Sequence, residues 1–431
     1  MSMMRVVSGE MMVIRPCNML HGTTKNLVVA NHSVPPQSVA VQDGRQLTMS
    51  VSSLQQLALL KSTSSKKYMQ SLPEKWMEYQ GINNWEGLVD PLDEGLRDEI
   101  LRYGDFVEAA YRAFDFDTSS PSFATCRYPT KTMLAKCGFG NSGYKVIKDL
   151  HATCAVQVPR WTKHVPSWVS TKSSWIGYVA VSDDQAEIKR LGRRDVVIAY
   201  RGTATCLEWL ENLRATLSPL PDDMAPSNHE PMVQSGFLSL YTSGNTNSPS
   251  LQNSVRKQIG KILEIYGDEP LSITITGHSL GAALATLTAY DIATTFKHAP
   301  LVTVVSFGSP RVGNKCFRTQ LERSGTKVLR IVNSDDPVTK VPGFVVDETD
   351  NSRSGVTNWL QTQWEYAEVG EELRLNSKDS PYIKKGGVAT CHDLKTYLHL
   401  VNNMSSTCPI RPAAKKMLQR TKHDDKQLIF S

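Results

Sequence analysis

One serine stands out for the chemistry its neighbours permit. In Gly277-His278-Ser279-Leu280-Gly281 a glycine lies two residues to either side of it. Leu271-Ser272-Ile273-Thr274-Ile275-Thr276 precedes this pentapeptide and is β-branched and alternating, so it predicts a strand. Ala282-Ala283-Leu284-Ala285-Thr286-Leu287 follows, small and apolar, and predicts a buried helix. Five residues with two glycines arise by chance in many proteins and can mark a plain tight turn. Between a strand and a helix, the same five form a nucleophile elbow. The turn is so sharp that side chains at positions 277 and 281 would clash, and glycine removes the clash. The Ser279 hydroxyl is then held above the sheet, beside a helix N-terminus that favours developing negative charge.

A hydroxyl becomes a nucleophile only beside a base that is itself oriented by an acid. The elbow is that of an α/β-hydrolase, in which the acid and the base follow the serine in the order Ser, Asp, His. The acid is expected after the strand Val328-Leu329-Arg330-Ile331-Val332, where Asn333-Ser334-Asp335-Asp336-Pro337-Val338 opens a loop. Asp335 and Asp336 serve equally on chemistry alone, and one of the two is expected to be an Asx-type turn residue before Pro337. For the base, the domain offers His392 and His399 beyond that point. They lie seven residues apart on one expected helix, about 10 Å, so both cannot reach Ser279. His392, at the loop–helix junction, is preferred; His399, between Leu398 and Leu400, is expected to pack or hydrogen-bond locally. His278 is read as structural. An oxyanion hole needs two backbone N–H groups. Leu280 supplies one, and Thr203, at the strand end Tyr200-Arg201-Gly202-Thr203, supplies the other. Directly afterwards Leu207, Trp209, Leu210, Leu213 and Leu217 share one side of an expected short helix, with Glu208, Glu211, Asn212 and Arg214 opposite. A core helix has the same composition. Its place beside the oxyanion loop, ahead of the Pro-rich stretch 218–231, gives it the design of a lid whose opening exposes an apolar face to a lipid surface.

The elements that must position these groups alternate. A helical period runs from Leu96 through Ile100, Tyr103, Val107, Ala110 and Tyr111 to Phe114, and a Gly/Ser/Pro-punctuated stretch follows to about Trp161. Strands are expected at 175–181 and 195–200, with Gly192-Arg193-Arg194 near their turn. Leu251, Val255, Ile259, Ile262 and Tyr266 mark a second helix. After the elbow come a strand at 302–307, a helix near 316–324 and the strand 328–332. Strands alternating with helices imply a mostly parallel sheet flanked by helices. One catalytic domain is expected at 74–415, with a polar tail at 416–431.

Bulk composition narrows the classes. The chain has 431 residues and a formal charge of +6, but residues 1–73 carry seven Lys/Arg against two acids and so hold +5 of it. The rest is near neutral, which argues against a nucleic-acid binder. That N-terminal segment is rich in Ser and Thr, poor in acids, and lacks the apolar core of a secretory signal. It is read as a disordered plastid transit peptide. The most apolar stretch, around 271–290, is interrupted by Ser, Thr, Gly and His, so no transmembrane segment is expected. The eight cysteines are scattered with no CxxC pair or zinc-like spacing, and no metal or organic cofactor is expected. The composition does not set the oligomeric state.

Taken in order, these motifs resemble those of the class 3 lipases, and within them the plant chloroplast phospholipase A1 group related to the anther-dehiscence lipase. Tyr200-Arg201-Gly202-Thr203 and Cys206 to Leu213 resemble the oxyanion motif and its sequel. Residues 277–287 match the nucleophile motif almost letter for letter, and Ser306-Phe307-Gly308-Ser309-Pro310-Arg311-Val312-Gly313 resembles the strand and loop after it. Asn84-Trp85-Glu86-Gly87-Leu88 and Arg102-Tyr103-Gly104 also fit, so the resemblance spans about 75–403. It implies Asp336 rather than Asp335 as the acid, and His392 as the base. It also implies hydrolysis of the sn-1 acyl ester of phosphatidylcholine or plastid galactolipids, at a membrane surface in the chloroplast. Gln234, where fungal relatives carry histidine, and residues 421–426 depart from the pattern. A triacylglycerol lipase or a general carboxylesterase on the same scaffold is the neighbouring expectation; a non-catalytic regulator is the remote one.

Overall fold

The computed structural model describes residues 72–153, 173–203, 216–225, 230–244, 248–342, 366–380 and 387–404. The expected tail, the lid residues Leu207, Trp209, Leu210 and Leu213, and all but the last two residues of the expected leader lie outside the described residues.

Eleven strands run in chain order through the described residues: β1 Tyr144–Ala152, β2 Ser174–Ser182, β3 Arg194–Tyr200, β4 Leu217–Pro219, β5 Met232–Gln234, β6 Leu271–His278, β7 Leu301–Phe307, β8 Gly313–Asn314, β9 Lys327–Asn333, β10 Tyr366–Ala367 and β11 Glu371–Leu375. Among them, seven form one sheet in the order β1-β2-β3-β6-β7-β9-β11, and four short ones form a second in the order β10-β8-β5-β4. From β3 to β11 every pairing in the large sheet is parallel, and the β1 and β2 pairings are antiparallel. The helices that matter here are α1 Glu94–Ala113, α2 Gln185–Leu191, α3 Ser235–Thr242, α4 Leu251–Tyr266, α5 Leu280–Thr295, α6 Lys315–Arg323, α7 Val388–His392 and α8 Leu394–Asn403.

Each central strand is buried along its whole length, as continuous apolar runs in a parallel sheet must be. Alternate residues feed two cores. Val196, Ile198, Ile273, Ile275, Val302 and Val304 face Val255 and Ile259 of α4 and Leu284 and Leu287 of α5. Val197, Ala199, Val305, Phe307, Leu329 and Ile331 face Leu96, Ile100 and Val107 of α1 and Tyr397 and Val401 of α8. Each such side chain withdrawn from water stabilises the fold by about 1.5–3 kcal/mol. The result is an α/β-hydrolase fold, with a mostly parallel sheet between helical layers. Helix α5 is buried continuously from Leu280 to Ile292, which explains its run of Ala, Gly and Thr: bulkier residues would not fit against the sheet.

Three local features differ from the sequence expectation. The stretch expected to be irregular up to Trp161 contains β1, whose alternation is broken by register shifts between Val146 and Lys148 and between Leu150 and His151. Such bulges put successive residues out of phase, so no period of two survives in the sequence. Helix α2, between β2 and β3, is seven residues long and too short to show a period; Asp184 caps its start, and Gly192 at φ 71° ends it. Leu217 is not on a helix face. It opens β4 and is paired with Gln234 of β5, its buried side chain joining the core.

Candidate active site

The parallel strands end level with one another. Tyr200 pairs with Gly277, His278 with Phe307, and Phe307 with Ile331, so the loops leaving β3, β6, β7 and β9 meet at one carboxyl edge. Ser279 sits there at φ 58°, ψ −124°, between β6 and α5. A serine in that region carries about 1–3 kcal/mol of strain. Main-chain bonds hold it: the Ser279 N–H donates to the Phe307 carbonyl at 3.0 Å, and its own carbonyl accepts from Ala282 N at 3.0 Å. The glycines do what the motif requires, against identified partners. A Cβ on Gly281 would lie 2.5 Å from the Arg201 carbonyl and 2.7 Å from that of Tyr200. One on Gly277 would lie 2.8 Å from Ala282 N. The elbow is thus pressed against both its own helix and the end of β3.

Asp336 and His392 come together behind Gly308. His392 Nδ1 donates to Asp336 Oδ2 at 2.6 Å, and both side chains are buried. A carboxylate only accepts, so the ring proton sits on Nδ1 and the lone pair on Nε2, the form a general base needs. Tyr397 of α8 donates its hydroxyl to the same Oδ2 at 2.6 Å, while Val338 N–H donates to Oδ1 at 2.9 Å. Burial, together with this carboxylate, pushes the Tyr397 phenol well above its ordinary range, so it stays a donor. Asp336 therefore holds the imidazole with one oxygen and caps the 3-10 turn Pro337–Lys340 with the other. The sequence divides those jobs between Asp335 and Asp336, whereas one residue performs both. Asp335 instead lies 3.8 Å from the exposed Lys378 ammonium.

The backbone under the imidazole is fixed as well. Asn333, at the end of β9, donates from Nδ2 to Ser377 Oγ at 2.7 Å and to the Cys391 carbonyl at 2.9 Å. His278 Nε2 lies 2.7 Å from the His392 carbonyl and must donate to it. His278 Nδ1 is then bare and accepts from the Tyr111 hydroxyl at 2.7 Å, and Tyr111 in turn accepts from Gly202 N–H at 2.9 Å. One directional chain thus joins the loop after β3, the elbow and the His392 segment. Burial and the nearby His392 hold His278 well below its ordinary pKa, keeping it neutral as this chain requires. Gly308, at φ 57°, has no side chain where a Cβ would lie 3.2 Å from both His392 Cε1 and Asp336 Oδ2.

The loop after β3 lies alongside the serine: a Cβ on Gly202 would be 3.0 Å from Ser279 Cβ. Thr203 follows, its hydroxyl buried and without a hydrogen-bond partner among the described residues. Leu280 opens α5. His399 is engaged locally, with Nε2 3.1 Å from Ser380 Oγ, and does not join the group.

The profile of the lipase (class 3) family matches residues 197–346. Phospholipase A(1) DAD1, chloroplastic, of Arabidopsis thaliana is 62% identical over 365 residues, covering 81% of this chain and 81% of the relative. The chain belongs to the class 3 lipases. Galactolipase DONGLE, chloroplastic, of A. thaliana is 42% identical over 348 residues, covering 77% of this lipase and 70% of the relative. Phospholipase A1 EG1, chloroplastic/mitochondrial, of Oryza sativa subsp. indica is 38% identical over 361 residues, covering 81% and 80%. As a family member this lipase is a lipid ester hydrolase. Among its described residues no helix is long and apolar enough to cross a membrane. Gln234, the departure from the fungal pattern, caps α3 by accepting from Phe237 N–H at 2.7 Å, so the change leaves a helix cap in place.

Four residues of the site escape a reading of the sequence. Tyr111, Arg201, Asn333 and Tyr397 act through partners far along the chain, and a tyrosine at a core position of a helix reads as packing. Only the closeness of Asn333 to Asp335-Asp336, with Ser334 between them, is a local signal.

Proposed function

We propose that this lipase hydrolyses the sn-1 acyl ester of glycerophospholipids such as phosphatidylcholine, and of galactolipids, releasing free fatty acid. Ser279 attacks the acyl carbonyl while His392 Nε2 takes its proton. Asp336 keeps the imidazole in the required tautomer and stabilises the imidazolium that forms. The N–H groups of Thr203 and Leu280 bind the tetrahedral oxyanion, each worth on the order of a hundredfold in rate. His392 then returns its proton to the leaving glycerol oxygen, and water, activated by the same imidazole, frees the acyl group from Ser279. No step calls on a metal or organic cofactor. The observation that carries this reading is the buried His392–Asp336 pair at the strand edge where Ser279 sits at φ 58°. The printed names of the relatives, two phospholipases A1 and a galactolipase, support the substrate class, and the word chloroplastic in all three supports a plastid address. Action at a membrane surface without a spanning helix fits both.

The test is product analysis. Purified protein is given phosphatidylcholine, monogalactosyldiacylglycerol and triolein whose acyl positions are differently labelled. Release of the sn-1 label from the polar lipids, abolished in Ser279→Ala, is expected. Release from sn-2, or hydrolysis of triolein alone, would replace the proposed substrate; activity surviving in Ser279→Ala would remove the nucleophile.

A further inference from the structure

Arg201 is a buried cation with no carboxylate within ion-pair distance among the described residues. Its guanidinium lies 3.5 Å from the centroid of the Phe114 ring and donates only to neutral oxygens. Nε reaches the Trp175 carbonyl at 3.0 Å, Nη2 reaches Ser174 Oγ at 3.0 Å, and Nη1 folds back to the carbonyl of the next residue, Gly202, at 2.8 Å. The other buried arginines of the sheet are balanced differently: Arg194 pairs with Glu269, and Arg330 with Glu368 and Glu372. Burying a guanidinium without its counter-charge is unfavourable, and a strand-end staple could be made from neutral groups.

The acceptor decides what the charge does. The Gly202 carbonyl belongs to the same planar peptide unit as the Thr203 N–H, and in a trans peptide the two point in opposite directions. Gripping the carbonyl therefore fixes the N–H. A cation on the carbonyl oxygen also draws electron density through the amide, making the N–H on the far side a stronger donor. The preceding peptide is held from its other side, where Gly202 N–H donates to Tyr111. The Arg201 carbonyl rests against Gly281 of the elbow, so the same residue sets the spacing between this loop and the serine.

We propose that Arg201 is a positioning residue for ester hydrolysis: its guanidinium fork aligns and polarises the Gly202–Thr203 peptide so that the Thr203 N–H is set to bind the oxyanion. The inference rests on the assignment of Ser279 and Thr203 above. Burial lowers the guanidinium pKa to about 10, which leaves it charged at neutral and mildly alkaline pH. The polarisation acts on negative charge that exists only in the transition state, so kcat carries the effect and KM does not.

The experiment compares Arg201→Lys and Arg201→Met with wild type on a matched soluble oxoester and thionoester, in which the carbonyl oxygen becomes sulfur. Sulfur is a poor hydrogen-bond acceptor, so a working oxyanion hole favours the oxoester. Arg201→Lys is expected to lose about tenfold and Arg201→Met about a hundredfold in kcat for the oxoester, with KM within twofold. The oxo/thiono rate ratio should fall in the same order. Equal losses on both esters, or a wild-type ratio in either folded variant, would overturn the proposal and leave Arg201 a staple between β2 and β3. Arg201→Lys keeps the cation, and circular dichroism checks its fold, so it carries the test should Arg201→Met not fold. Ser279→Ala runs in parallel: hydrolysis surviving there would sink the underlying assignment, whereas a dead Ser279→Ala beside an unchanged Arg201→Lys would sink this inference alone.

Discussion

Replacing Asp336 with asparagine keeps the shape of the carboxylate and exchanges one acceptor for a donor. The outcome depends on which end of the amide faces which partner. If Nδ2 takes the place of Oδ1, it meets the Val338 N–H at 2.9 Å. That main-chain donor cannot reverse its role, and two buried donors face to face cost about 1–3 kcal/mol. If Nδ2 takes the place of Oδ2, it meets His392 Nδ1 and the Tyr397 hydroxyl, both at 2.6 Å. There the conflict can be relieved: the hydroxyl rotates, and the ring moves its proton from Nδ1 to Nε2. The second arrangement wins by roughly ten- to a hundredfold in population, and it leaves His392 Nε2 protonated, without the lone pair a general base needs. The minority that keeps the right tautomer lacks an anion opposite the imidazolium, and a neutral acceptor is about half as strong as a charged one. Together these give a loss in kcat on the order of 10² to 10³, roughly 3–4 kcal/mol of barrier. Asp335→Asn is the control. Its nearest cation, Lys378, is 3.8 Å away with a side chain 80% exposed, a pair worth under about 1 kcal/mol, so activity should stay within about twofold. The assay is kcat on a chromogenic short-chain ester at saturating substrate, with thermal melts to confirm folding. A folded Asp336→Asn within tenfold of wild type, or a comparable loss in Asp335→Asn, would refute the reasoning.

Other perturbations have equally definite outcomes. Tyr397→Phe removes a donor to a charged group and should cost about 1.5–3 kcal/mol of stability, read from urea unfolding, with a smaller kcat loss than Asp336→Asn; unchanged stability would mean the bond contributes nothing. Gly281→Ala drives a Cβ to 2.5 Å from the Arg201 carbonyl, a main-chain atom with no room to yield, so a destabilisation of about 1–3 kcal/mol or more and a lower melting temperature are expected; an unaltered melt would show that the loop after β3 gives way. His278 has a folded pKa depressed below its ordinary 6.5, so below that pH the unfolded chain binds the extra proton and the fold loses stability as pH falls, by up to about 1.4 kcal/mol per pH unit. His278→Asn should flatten that slope between pH 6.5 and 5 in urea titrations, and an unaltered slope would show that other groups produce it.

Legibility followed the distance over which the signal is written. The elbow was readable because its strand, turn and helix are contiguous, and the two glycines answer to clashes within a few residues or with one neighbouring strand end. The mostly parallel sheet was readable because strands alternate with helices along the chain. Strand β1 was not, because its bulges destroy the alternation that would announce it. The choice between Asp335 and Asp336 stays open on chemistry alone, since the deciding partners, His392 and Tyr397, lie 56 and 61 residues further on. Arg201 was in plain view beside the oxyanion loop, yet a lone arginine in sequence reads as a solvated charge. Only its enclosure between Phe114 and the start of β2 gives it another meaning.

The anchorage of His392 has a consequence for a substrate that is itself fluid. The imidazole is tied at its ring to Asp336, at its own carbonyl to His278, and through the neighbouring Cys391 carbonyl to Asn333. The rotational freedom of that side chain is therefore surrendered when the chain folds and not when an ester arrives. An acyl lipid brings many floppy torsions, and arresting them is the ordering that remains. For an enzyme built this way, turnover should respond to how orderly the lipid phase is far more than to any loosening of the protein's own reactive groups.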